Sequence, residues 1–182
     1  MLNYKNDYVV VIPARAGSRR ISDKNNQKIG SKTLVEWAIE CALTVFSKDK
    51  IVLVTDSVAS AETGKNLGIE VIDRPPEVSG AYSSTESVIS HVHQHYPCEN
   101  YVLLQPTSPF RTKTDIEVCL EKFEDSDVMS VMSATIPWNS IKDPGIGLLS
   151  TNGDRLIEFQ FHWGGIGLIG TQSLAAHYLA SH

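Results

Sequence analysis

Apolar positions fall in two rhythms along this 182-residue chain. Nearly unbroken apolar runs occur at Tyr8 to Pro13, Ile51 to Thr55, Ile69 to Ile72, Tyr101 to Gln105 and Asp127 to Ser133. They read as strands buried on both faces, the pattern of a parallel sheet. Between the first two, Leu34, Trp37, Ala38, Cys41, Ala42 and Val45 recur at steps of three and four. That spacing predicts one helical stripe, with Trp37 in the core. Further helices are expected at Val58 to Leu67, Ser83 to Tyr96 and Thr112 to Phe123. The alternation predicts an α/β fold of three layers, α/β/α, with a mostly parallel sheet and right-handed crossovers.

Boundary signals agree with this pattern. Ser31 or Thr33 opens the first helix, and Glu36 stands three residues past Thr33 as a capping box requires. Gly68 is a stop signal for the second helix. The last of the four starts at Thr112 or Thr114, and Asp115 and Glu117 in its first turn suit the helix dipole. After Ala134 the pattern breaks at Pro137, Asp143-Pro144-Gly145 and Asn152-Gly153. An irregular or antiparallel excursion over about 135–162 is expected there, inside a single domain spanning 1–182. A short buried strand at Ile166 to Ile169 and a helix from about Gln172 to Ala180 follow.

Composition adds limits: 42% apolar and 20% charged residues argue against disorder and against a membrane protein. The start, Met1-Leu2-Asn3-Tyr4-Lys5, has no signal-peptide character, so a cytoplasmic location is expected. A net charge of −5 speaks against a general nucleic-acid binder. Cys41, Cys98 and Cys119 are odd in number and widely spaced, which suggests reduced thiols rather than a disulfide framework or a zinc site.

Against that acidic background, Arg15, Arg19, Arg20 and Lys24 crowd into ten residues just after the first strand. The carboxyl ends of strands are where ligands bind in open α/β sheets, and four cations this close repel unless an anion screens them. Gly17 permits close approach of backbone to phosphate, and Ser18 supplies a hydroxyl donor. The stretch reads as a polyphosphate cradle. It is not a Walker loop, because Gly30-Ser31-Lys32-Thr33 lacks the required order. After the fourth strand, Pro106 and Pro109 stiffen a turn that presents Thr107 and Ser108.

Two of these segments carry a resemblance. Ala14-Arg15-x-x-Ser18 with Lys24-Asn25, and Leu103-Leu104-Gln105-Pro106-Thr107-Ser108-Pro109-Phe110-Arg111, together resemble the acylneuraminate cytidylyltransferases, also called CMP-N-acetylneuraminate synthetases. Val54-Thr55-Asp56-Ser57 and Arg74-Pro75-Pro76-Glu77 are weaker echoes between them. The resemblance implies a nucleotide-diphospho-sugar transferase-like fold. It also implies a reaction in which a sialic-type nonulosonic acid attacks the α-phosphorus of CTP, with Mg2+ as cofactor and a homodimer as the working form. Carried over, Arg15 and Lys24 are the catalytic cations. Arg15, Ala16, Gly17, Ser18, Lys24 and Asn25 contact the nucleotide, and Ser84, Gln105, Thr107 and Ser108 face the sugar. Arg111 orders its loop.

The sequence departs from that family in its metal ligands. The late Asp-x-Asp segment that binds magnesium is absent up to His182, and the related octulosonate (Kdo) enzymes' aspartate after the fourth strand has no counterpart in Gln105-Pro106-Thr107-Ser108. The metal ligands stay unknown. Three explanations are open: a truncated chain, a metal held by CTP and water, and a nucleotide-binding domain without catalysis. Asp56 is the nearest carboxylate by position, as metal ligand or helix cap. Another sugar acid, such as Kdo, is an alternative substrate.

Three other patterns carry less. Gly165-x-Gly167-x-x-Gly170 matches a dinucleotide fingerprint in form, but lacks room for a following βαβ unit. His91 and His95 share a helix face without a third ligand and read as surface residues. Ser84 and Thr85 are either caps or sugar-facing.

Overall fold

A computed structural model describes residues 7–18, 21–79, 85–125, 130–134 and 163–170. Strand β1 (Tyr8–Pro13) leads to a 3-10 turn at Lys24–Asn26, a small hairpin of β2 (Lys28–Ile29) and β3 (Lys32–Thr33), and helix α1 (Leu34–Leu43). Then come β4 (Ile51–Thr55), α2 (Val58–Leu67), β5 (Glu70–Asp73), α3 (Pro76–Ser79) and α4 (Thr85–His95). Strand β6 (Asn100–Leu104), helix α5 (Lys113–Glu124), β7 (Ser130–Ala134) and β8 (Trp163–Gly170) complete the described elements. The 135–162 excursion and the 172–180 helix expected from sequence lie outside the described residues.

The large sheet has the order β5-β4-β1-β6-β8-β7. Its first four strands are parallel, whereas β8 runs antiparallel to both β6 and β7. Alternation along the strands divides the core in two. Val10 and Ile12 point with Leu53, Val102 and Leu104 towards α1 and α5, where Val35, Ile39, Ile116 and Leu120 meet them. Val11, Val52, Val54 and Leu103 point the other way, onto Val88, Ile89 and Val92 of α4. This is the expected three-layer α/β/α arrangement. Every residue of β4 is buried, as a central parallel strand requires.

The helix ends follow their sequence signals. Thr33 closes a capping box with Glu36, and Thr112 closes a second one with Asp115. Gly68 ends α2 at φ +75°, in the left-handed region that favours glycine. Gly64 lets α2 approach the sheet: a Cβ there would lie 2.8 Å from Val71 Cγ2 and 2.9 Å from Leu53 Cδ2.

One expectation is corrected. Trp37 is not in the core: its indole N–H donates to the Ile29 carbonyl at 3.0 Å, and the Lys32 ammonium lies 4.8 Å from its ring centre. It braces the β2–β3 hairpin against α1, an arrangement that satisfies its donor, as a half-exposed indole needs. The glycines of the 165–170 pattern, discounted above as a dinucleotide loop, lie within β8, a strand that pairs with β6 on one side and β7 on the other.

Candidate functional site

The carboxyl ends of β1, β4, β5 and β6 meet at one edge of the sheet. Side chains and backbone there lock the strand ends together. Ala14 donates to the Val54 carbonyl at 2.9 Å, and the buried Thr55 hydroxyl donates to the Ala14 carbonyl at 2.5 Å. The Arg74 amide donates to the Thr55 carbonyl at 3.1 Å. Above this floor lies a cleft of about 170 Å³. Pro13, Arg15, Lys24 and Asn25 form one wall, Gln105, Pro106 and Thr107 another, and Arg74 with Thr85 and Val88 of α4 the rest.

The two segments singled out by sequence therefore meet in space. Lys24 opens the 3-10 turn directly after Asp23, which sits at φ +47°. That left-handed geometry is tolerated by aspartate, and the Asp23 carboxylate accepts a hydrogen bond from Asn26 Nδ2 at 2.7 Å. Asn25 is buried, and its Nδ2 donates to the Arg15 carbonyl at 3.0 Å. Asn26 Nδ2 also donates to Ser57 Oγ at 3.1 Å, and its Oδ1 accepts from Ser60 Oγ at 3.0 Å, tying the turn to the start of α2.

Other expected residues stand around the cleft rather than on its walls. The Ala16 amide donates to Asp56 Oδ1 at 2.6 Å, and the Ser18 amide to the Ala16 carbonyl at 2.9 Å. Gly17 is exposed, and a Cβ there would meet nothing within 4 Å, so protein packing does not call for glycine at that position. Ser108 shapes the turn: its amide donates to the Gln105 carbonyl and its carbonyl accepts from the Arg111 amide, each at 3.3 Å. Arg111 is buried, and its Nη2 donates to the Gln105 carbonyl at 2.7 Å, so it orders the loop. Ser84, Arg19 and Arg20 lie outside the described residues.

Arg74 belongs to one of the weaker echoes, and the sequence gives it no role at the cleft that it lines. It is buried, and its Nε donates to the Val78 carbonyl at 2.7 Å. Burial pulls its guanidinium below the usual range, the Asp56 carboxylate opposes that shift, and the Arg15 charge reinforces it. Its position at the end of a strand and before two prolines was the available signal. Asp56 differs from expectation as well. The cap of α2 is Ser57, whose Oγ accepts from the Ser60 amide, while Asp56 reaches across to the loop after β1.

Arg15, Lys24 and Arg74 line the cleft, and no carboxylate is among its described lining residues. Three cations facing one cavity favour a polyanion. As for a metal, among the described residues no group of three or more His, Cys, Asp or Glu side chains stands ready to hold one. His91 and His95 are engaged with backbone carbonyls, of Asp73 at 3.0 Å and of His91 at 2.9 Å.

The family model described as "Cytidylyltransferase" matches residues 9–142, a span that takes in both cleft segments. The chain belongs to the cytidylyltransferase family. Its relatives include the N-acylneuraminate cytidylyltransferase of Escherichia coli O18:K1:H7, 31% identical over 139 residues, covering 74% of this chain and 33% of that protein. The CMP-N,N'-diacetyllegionaminic acid synthase of Legionella pneumophila is 32% identical over 131 residues, covering 68% and 56%. The chain thus spans between a third and somewhat over half of these relatives' lengths. Among solved structures, a CMP:2-keto-3-deoxy-manno-octonic acid synthetase complexed with CTP superposes with a TM-score of 0.72 at 20% identity, covering 94% of this chain and 77% of that one. That likeness shows the fold. The expected resemblance to acylneuraminate cytidylyltransferases and the expected transferase-like α/β fold are both borne out. Among the described residues, no helix is long and apolar enough to cross a membrane.

Proposed function

We propose that this chain activates a sialic-type nonulosonic acid with CTP. The sugar hydroxyl oxygen forms a bond to the α-phosphorus, the bond to the bridging oxygen of pyrophosphate breaks, and the hydroxyl proton passes to solvent. The products are the CMP-sugar and pyrophosphate. The observation that carries this reading is the cleft lined by Arg15, Lys24 and Arg74 with no carboxylate among its described lining residues.

Nucleotidyl transfer asks for positioning and for neutralisation of charge that grows on the leaving group, and little covalent help. Arg15 suits bidentate phosphate contact and Lys24 a point-charge contact. Ala16, Gly17, Ser18 and Asn25 complete the nucleotide side of the reading. Ser84, Gln105, Thr107 and Ser108 are assigned to the sugar side. Mg2+, a homodimer and a cytoplasmic location belong to the same proposal. The ion would accompany the triphosphate and its waters, where it would neutralise phosphate charge. The sialic-type sugar is favoured by the likeness to the E. coli N-acylneuraminate and the Legionella diacetyllegionaminic acid enzymes.

The test is pyrophosphate release with CTP, UTP, ATP or GTP, each paired with N-acetylneuraminate, a related nonulosonate or Kdo in the presence of Mg2+. Release with CTP and a nine-carbon acid is expected. Release only with Kdo moves the substrate, and CTP binding without release under any pairing removes the transfer step.

A further inference from the structure

The peptide unit that joins Arg15 to Ala16 is held at both of its polar atoms by side chains from distant segments. Its carbonyl accepts from Asn25 Nδ2 at 3.0 Å, and its N–H donates to Asp56 Oδ1 at 2.6 Å. The partners come from two elements, the 3-10 turn and the β4–α2 connection. Those elements are themselves joined, because Asn26 bridges to Ser57 and Ser60 beside Asp56. On the other side of Arg15, Ala14 is already fixed through Val54 and Thr55. The backbone on both sides of Arg15 is therefore immobilised, while its side chain lines the cleft.

An aspartate is an unexpected neighbour for a triphosphate loop, since its charge works against the ligand. Its value here is as an acceptor. A carboxylate accepting from a backbone N–H makes a charge-assisted bond, stronger than a neutral one. Fixing the loop in advance spares the ordering cost that a flexible loop meets when ligand binds.

We propose that Asp56 is a positioning residue, whose hydrogen bond to the Ala16 amide clamps the Arg15–Ala16 peptide and aims the Arg15 guanidinium into the cleft. The proposal rests on the nucleotide-binding reading above for its functional half. A metal-ligand role for the same carboxylate makes the opposite forecast for the conservative variant, because asparagine keeps the acceptor oxygen and loses the charge.

The experiment uses the full chain as wild type, Asp56→Ala and Asp56→Asn. Amide hydrogen exchange at Ala16 and CTP affinity by calorimetry are the two readouts. In Asp56→Ala the Ala16 amide is expected to exchange faster and CTP affinity to fall roughly ten- to a hundredfold, as loss of a hydrogen bond to a charged group implies. Asp56→Asn is expected to restore Ala16 protection and most of the affinity. Unchanged Ala16 exchange in Asp56→Ala overturns the clamp. So does an Asp56→Asn protein that protects Ala16 yet binds CTP as poorly as the alanine variant, since charge is then what matters. If the wild type binds no CTP, the nucleotide reading fails by itself, and Ala16 exchange still decides the clamp.

Discussion

Arg111 and Gln105 are joined across the turn after β6, with the guanidinium Nη2 donating to the Gln105 carbonyl at 2.7 Å. Arg111 is 8% exposed, and burial draws its guanidinium below the usual range, partly offset by the Cys41 thiol beside it. A buried charge in this position is committed to backbone geometry rather than to a ligand. Arg111→Ala should lower stability by about 1.5–3 kcal/mol, the usual scale for a hydrogen bond to a charged group. Urea unfolding followed by tryptophan fluorescence checks this. An Arg111→Ala protein as stable as wild type would contradict the loop-ordering role.

Lys24 is placed on the cleft wall by a turn that Asp23, Asn25 and Asn26 all hold. Under the proposed reaction, Lys24→Ala should lose activity by roughly two orders of magnitude or more, since removing one electrostatic stabiliser commonly has that effect. The measurement is pyrophosphate release at saturating CTP, with circular dichroism to confirm that the fold is intact.

Gly64 is buried where α2 comes closest to the sheet. Alanine brings a gain of about 1 kcal/mol in helix propensity. It also brings a Cβ under 3 Å from Val71 and Leu53, and overpacking of that kind costs about 1–3 kcal/mol. Leu53 is fully buried and cannot swing aside, so the clash should prevail. The expected outcome for Gly64→Ala is a lower Tm, read by calorimetry, where an exposed helical glycine would show a rise.

Acid should loosen α1 at its start. The Glu36 carboxyl accepts from the Thr33 amide at 2.5 Å, and this bond holds it below the usual glutamate range. A carboxyl lowered in the folded state contributes stability that is complete above its unfolded pKa and is lost as pH falls through the folded value. Glu36→Gln should therefore flatten the decline in stability between neutral pH and about pH 3. Thr33→Ala removes the other half of the box and should cost about 1 kcal/mol at neutral pH. Denaturant melts at several pH values separate the two effects.

The strands at 8–13 and 51–55, the Thr33–Glu36 box and the stop at Gly68 were all legible, because each depends on local pattern alone. Strand β8 was read too short, as Ile166 to Ile169 against Trp163–Gly170. Glycines at 164, 165 and 167 dilute its apolar pattern, and pairing on both sides sustains it instead. The β2–β3 hairpin escaped notice because two-residue strands carry no period, although Gly30-Ser31 is a hairpin signal and Gly30 does adopt φ +66°. At the cleft, Arg15, Lys24, Asn25, Gln105 and Thr107 were named from sequence. The cleft position of Arg74 and the latch role of Asp56 were not, because both depend on how β4 and β5 end beside β1, which strand order decides and local pattern does not.

Strand β8, late in the sequence, sits inside the sheet rather than at its rim. β7 has no described pairing except with it. A ribosome delivering this chain therefore releases β1, β4, β5 and β6 as a sheet that can assemble early, with β7 waiting for a partner still to be synthesised. Closing the intervening stretch is a non-local step of the kind that slows folding. Until then the β6 edge beside the Gln105 turn lies open to other chains.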